Sequence, residues 1–233
     1  MLTIQVLDSI TQTSLPHIFH NLSVIRMEFT MSPEQLADHV RETFARELGE
    51  IRDGELRDKV VRTWVRAMTI TGATNLARDL PMNKKFANMQ LTRSAIGLEH
   101  VRAVVRLSIA IADAEAESHY MEIDRDVVIA GALLHDVGKL LERAPVGTHP
   151  LAGKLVRHPF SGVELGVHEG VPTEVLHIIA YHSVEGHRIP RTLECYIVYE
   201  ADLLSVDALD RRELGISRAE QNPYIYVPKP SKK

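Results

Sequence analysis

Leu133-Leu134-His135-Asp136-Val137-Gly138-Lys139 closes an apolar run with two metal-ligating side chains, and its reading decides the fold. The periodicity from Val127 to Leu141 predicts one helix, capped by Asp124 or Asp126. A His and an Asp set side by side where the apolar run closes suggest a metal site at a helix end. The dipeptide alone carries little weight, because 12 His and 12 Asp in 233 residues supply about 0.6 such pairs by chance. The surrounding sequence has to give it meaning.

Upstream, Leu98, Val101, Val104, Val105, Ile109 and Ala112 form one helical stripe. Downstream, Gly147 to Lys154 reads as a loop. Pro159 opens a helix towards Gly166, Pro172 opens another through His182, and Thr192 caps one through Leu209. Before the loop-like stretch from Gly72 to Lys85, two more helices are expected. Ser32, Pro33 and Gln35 form a capping signature for a helix to about Leu48, and Leu56, Val60, Val61, Trp64, Val65 and Met68 recur at helical spacing after Asp53-Gly54. The first 30 residues leave strand and helix both open. The tail from Asn222, rich in proline, reads as an extended arm, and Tyr224-Ile225-Tyr226-Val227 could add a strand against the N-terminus.

The composition is that of a globular protein, with 45% hydrophobic and 25% charged residues. A net charge of −4 argues against a dedicated binder of long nucleic acid, while leaving room for a small nucleotide. The single Cys195 excludes an internal disulfide framework and a thiolate zinc site, and fits a reducing compartment. Neither a signal peptide at Met1–Asp8 nor a run of about 20 apolar residues is apparent, so no membrane association and a cytoplasmic location are expected.

Other His and Asp residues sit where helices could bring them to His135-Asp136. His100 precedes Val101 beside a buried seam, His158 stands immediately before Pro159, and His182 ends an apolar helix. Asp202 interrupts an apolar run and needs a partner if buried. Taken singly, each reads as a polar residue scattered by composition; the joint order and spacing favour a metal centre. His17, His20, His39, His119, His149, His168 and His177 lack such context and read as structural.

This ordered set resembles the HD superfamily of metal-dependent hydrolases. The likeness extends from about Leu98 to Asp207 and includes the phrases His135-Asp136-Val137-Gly138-Lys139, His158-Pro159-Phe160-Ser161-Gly162-Val163-Glu164-Leu165 and Ala201-Asp202-Leu203-Leu204. The resemblance implies that His100, His135, Asp136 and Asp202 bind one metal. Carried over from the binuclear branch, His158 and His182 would bind a second, with Asp136 bridging. A carboxylate has two oxygens and can span two cations, and nitrogen and oxygen ligands without thiolate favour Fe, Mn, Co, Ni or Mg. The implied reaction is hydrolysis of a phosphate ester by metal-activated water, with Asp136 and Lys139 as catalytic residues. Lys139, four residues after His135 and hence on the same helical face, could steer a phosphate; a cation near a helix C-terminus is an equal reading. His187, Lys154 and Arg157 read first as solvated loop residues.

Where cyclic-dinucleotide phosphodiesterases of this superfamily carry a second His and Gly-Tyr-Pro, this chain has Ser183 and no such triplet. A small phosphorylated substrate, a nucleotide among them, suits the compact frame better. The diiron oxygenases of the superfamily, similar to inositol oxygenase, share the six ligands and form an alternative; a non-catalytic signalling or scaffold module is another. The expected architecture is all-α. It comprises a smaller, mostly helical accessory segment over 1–91, a helical HD bundle over 92–212 and an extended tail over 213–233, with homo-oligomerisation left open.

Overall fold

The computed structural model describes residues 31–82 and 95–216, and all regular structure among them is helical, as the sequence implies. The undecided segment up to residue 30 with His17 and His20, the boundary near residue 91 and the tail from residue 217 with its suggested strand lie outside the described residues.

Ser32 caps α1 (Pro33–Thr43) as the sequence suggests: its hydroxyl accepts from Gln35 N, and Gln35 returns a bond to the Ser32 amide. The helix expected to reach Leu48 breaks at Phe44 and resumes as α2 (Ala45–Gly49). At the break Phe44 is fully buried, its ring 5.6 Å from that of Trp64. Trp64 belongs to α3 (Gly54–Thr71), which Asp53 caps and a left-handed Gly72 ends. The expected loop beyond contains one helical turn, α4 (Leu76–Asp79), because the Asn75 side chain caps it by accepting from Arg78 N.

The second half is built on α5 (Ile96–His119), α6 (Arg125–Leu134), α7 (Lys139–Arg143), α8 (His158–His168), α9 (Thr173–Tyr181) and α10 (Leu193–Leu214). Every residue of α6 from Val127 to Leu134 is buried, as a helix apolar on all sides must be. It packs against α3, α5, α9 and α10. One apolar interior runs through both halves, joining Leu36, Phe44 and Trp64 to Val104, Leu133, Ile178 and Val198. No described helix is long and apolar enough to cross a membrane.

The single helix expected from Val127 to Leu141 is instead two, α6 and α7, separated by tight turns over His135–Gly138. Gly138 explains the break. A Cβ there would lie 2.1 Å from the His158 carbonyl oxygen and 2.7 Å from Gly162 N, so only glycine lets the turn press against the start of α8. The interruption thereby brings His158 beside Asp136.

Candidate metal centre

Five segments converge on one buried cluster. α5 carries His100, the α6–α7 turn carries His135 and Asp136, and His158 is the first residue of α8. His182 is the C-cap of α9, and α10 carries Asp202. Four of the six ligand candidates therefore stand at helix ends, where the backbone can aim a short side chain inward. His100, His135, Asp136, His158 and His182 are buried, and Asp202 is 16% exposed.

The donor atoms sort into two groups able to hold a metal ion, His100–His135–Asp202 and Asp136–His158–His182. Asp136 divides its oxygens between them. Its Oδ2 lies 3.5 Å from His100 Nε2 and 3.3 Å from His135 Nε2, while its Oδ1 lies 3.4 Å from His158 Nε2 and 3.9 Å from His182 Nε2. Asp202 Oδ1 is 3.0 Å from His100 Nε2.

The outer nitrogens decide what the inner ones can do. His135 Nδ1 donates to the Ala132 carbonyl at 2.7 Å and His182 Nδ1 to the Ile179 carbonyl at 3.0 Å. His158 Nδ1 meets the Glu142 carboxylate at 2.8 Å, and His100 Nδ1 meets the Ser205 hydroxyl at 2.9 Å. A carbonyl only accepts, so the proton of a neutral ring sits on Nδ1 and Nε2 presents a lone pair. His158 Nε2 thus faces His182 Nε2 at 3.4 Å, and His135 Nε2 faces His100 Nε2 at 3.4 Å. The buried His135 and His182 rings turn bare Nε2 atoms towards a carboxylate whose two oxygens serve two donor groups, an arrangement that fits metal ions.

Burial and the close approach of these groups also shift their ionisation. Burial, reinforced by His135 and His158, pushes His182 down to about 3, so its ring is neutral and ready to ligate. Burial opposes charge on Asp136, yet Lys139 and His135 hold it well below the usual carboxylate range. Burial likewise opposes charge on Asp202, and the hydrogen bond with His100 brings it to about 2. The same two carboxylates raise His100 against the effect of its burial.

Lys139 does not share a helical face with His135 in one continuous helix. It begins α7, and its Nζ lies 2.5 Å from Asp136 Oδ2 with the side chain 12% exposed. His187 is exposed, 3.5 Å from the Tyr199 hydroxyl, and falls in neither donor group. Lys154 and Arg157 are exposed, Arg157 pairing with Glu185. The described histidines read as structural have local partners: His39 accepts from Leu76 N, His119 pairs with Glu115, His149 and His168 approach Glu164, and His177 accepts from Thr192 N. Sequence reasoning missed Glu142 and Ser205. Glu142 follows Leu140-Leu141 like an ordinary outward charge, and Ser205 lies 105 residues from His100, so neither carried a usable signal.

Residues 97–207 match the family model of the HD domain. The 97–207 region is an HD domain of the phosphohydrolase kind. It is similar to a dihydroneopterin 2',3'-cyclic phosphate phosphodiesterase of Methanocaldococcus jannaschii, 29% identical over 187 residues that cover 73% of this chain and 74% of that protein. It is also similar to the 3'-5' exoribonuclease YhaM of Listeria welshimeri, 29% identical over 128 residues, 48% of this chain and 39% of the relative. A third relative, ribonuclease Y of Acidothermus cellulolyticus, is 35% identical over 108 residues, 46% of this chain and 18% of the ribonuclease. The chain thus spans less than half the length of either ribonuclease. No solved structure matches it. The matched HD domain begins inside α5 and ends inside α10, so it encloses all six ligand candidates.

Proposed function

We propose that this HD domain holds two divalent cations and hydrolyses a phosphodiester in a small, nucleotide-like molecule. One ion would take His100, His135, Asp202 and Asp136 Oδ2, the other Asp136 Oδ1, His158 and His182. The supporting observation is the pair of facing Nε2 contacts, each 3.4 Å, on either side of one divided carboxylate. When bound, such a pair of cations lowers the pKa of water and neutralises charge on phosphoryl oxygens. The chain's own part is positional. Asp136 fixes the two halves of the centre relative to each other, and the neutral rings present Nε2. Lys139, at the partly open edge beside Asp136, supplies a cation to orient a substrate oxygen.

The phosphodiester assignment draws on the similar proteins, whose names point to a cyclic phosphate in one case and RNA in the others. A small substrate suits a chain of 233 residues with net charge −4. Nitrogen and oxygen donors without thiolate favour Fe or Mn, with Co, Ni and Mg also suited. A cytoplasmic setting fits the free, buried Cys195.

Metal analysis of the purified chain, combined with turnover of a 2',3'-cyclic nucleotide, tests the reading. Two equivalents of metal, and hydrolysis that a chelator abolishes and added Mn or Fe restores, are expected. A chain with no bound metal refutes the proposal, and turnover that needs oxygen and iron replaces hydrolysis by oxidation.

A further inference from the structure

We infer that Glu142 is a positioning residue that sets the affinity of the Asp136–His158–His182 side for its cation by supplying, through the His158 ring, the negative charge that side lacks. The inference rests on the two-cation reading and goes beyond it, because it makes the two sides unequal for a stated reason.

The four imidazoles are anchored differently. His135 and His182 each donate Nδ1–H to a carbonyl three residues earlier in their own segments, Ala132 and Ile179, a contact that helical backbone supplies whatever the sequence. His100 leans on the neutral Ser205 hydroxyl. Only His158 has a carboxylate behind it: Glu142 Oε2 lies 2.8 Å from Nδ1 and 2.9 Å from the His158 backbone N. That amide belongs to the first residue of α8 and has no partner within the helix. One oxygen therefore fixes both the ring and the chain that carries it. The Glu142 side chain is 13% exposed, so the contact with His158 is shielded from water.

The two groups also differ in charge. The His100–His135 side has Asp202 to itself and shares Asp136 Oδ2. The His158–His182 side has only Asp136 Oδ1. A carboxylate hydrogen-bonded to the far nitrogen of an imidazole raises the basicity of its ligating nitrogen and fixes its tautomer. Glu142 is placed to do this for the poorer side.

The test is a cobalt titration of the full-length chain after chelator treatment, followed by visible absorption and calorimetry. The parent is expected to bind two equivalents. Glu142→Gln keeps the shape and an acceptor but removes the charge; it is expected to bind the first equivalent as the parent does and the second roughly 10–100-fold more weakly. Glu142→Asp keeps the charge but stops one methylene short, and is expected to weaken the second ion alone and by less. It serves as the deciding variant if Glu142→Gln does not fold. Parental affinity for the second ion in a folded variant overturns the inference, as does equal weakening of both ions. A parent that binds fewer than two equivalents instead defeats the two-cation reading, an outcome visible before any variant is compared.

Discussion

Two regions of the core are built from opposite materials. Around α3, Phe44, Val60, Trp64 and Met68 are fully buried apolar side chains, and the charges of α3 itself lie at or near the surface, as in the Arg62 and Arg66 contacts with Glu169. Among the ligand candidates, five of six ionisable side chains are buried and the sixth nearly so. Burying apolar surface stabilises the fold by about 1.5–3 kcal/mol per large side chain. Burying ionisable groups costs free energy unless partners or a metal compensate. Stability and activity should therefore respond in different proportions to substitution in the two regions.

The largest separation is expected at Asp136. Asp136→Asn keeps the volume but removes the charge that both donor groups share. Hydrolysis is expected to fall by about a thousandfold or more, several kcal/mol of transition-state stabilisation. The metal-free protein should lose stability as well, because Lys139, His100 and His135 lose the carboxylate they face, so the contrast is an activity loss far larger than the stability loss. A large loss of metal-free stability with activity retained would remove the contrast. In the apolar region, Trp64→Ala empties the space of a completely buried ring and is expected to cost about 3–5 kcal/mol in denaturant unfolding. Turnover per folded, metal-loaded molecule should stay at the parental level.

Acid should weaken the ligand region selectively. A histidine with an ordinary pKa near 6.5 in the unfolded chain takes up a proton there as pH falls, whereas folded His182 resists until about 3. The unfolded state then binds more protons, so the metal-free fold loses stability progressively between those values. Glu142 adds a second loss: its folded value of about 2 lies below its ordinary 4.5, and the stability it confers above that range disappears as pH falls through it. Unfolding of metal-free protein from pH 7 to 3 is expected to steepen below pH 6.5, and His182→Asn should flatten the upper part. An unchanged slope in that variant would assign the loss to another group.

The sequence was readable where chemistry and periodicity point the same way. The ligand candidates lie within or at the ends of apolar helices, and though none is telling singly, the joint order of His100, His135, Asp136, His158, His182 and Asp202 resembles that of the HD superfamily. The break between α6 and α7 was not readable from periodicity, because Val137, Leu140 and Leu141 are buried and continue the spacing of the preceding helix. Gly138 was the available sign, and its meaning lies in the His158 carbonyl, twenty residues away in sequence. Glu142 and Ser205 act through partners that local spacing does not reveal. The continuity of the core was hidden likewise, since an amphipathic stripe shows that a helix packs but not on what.

The smallest effect expected concerns the two aspartates that the sequence left as rival caps of α6. Asp124 is the cap: its side chain accepts from Val127 N at 3.1 Å. Asp126 reaches across the molecule and accepts from Arg52 N and Asp53 N, tying the start of α3 to the start of α6. Asp124→Ala is expected to cost about 1 kcal/mol, the usual loss on removing a helix cap. Asp126→Ala leaves two amides without their acceptor at a partly exposed position where water replaces some of what is lost, so about 1–2 kcal/mol is expected. The two variants also differ in where the loss is felt. Hydrogen exchange should quicken at the first turn of α6 in Asp124→Ala, and at Arg52 and Asp53 in Asp126→Ala. If Asp126→Ala left those two amides as protected as in the parent, this carboxylate would not be what joins the start of α3 to the helix that leads into the candidate metal centre.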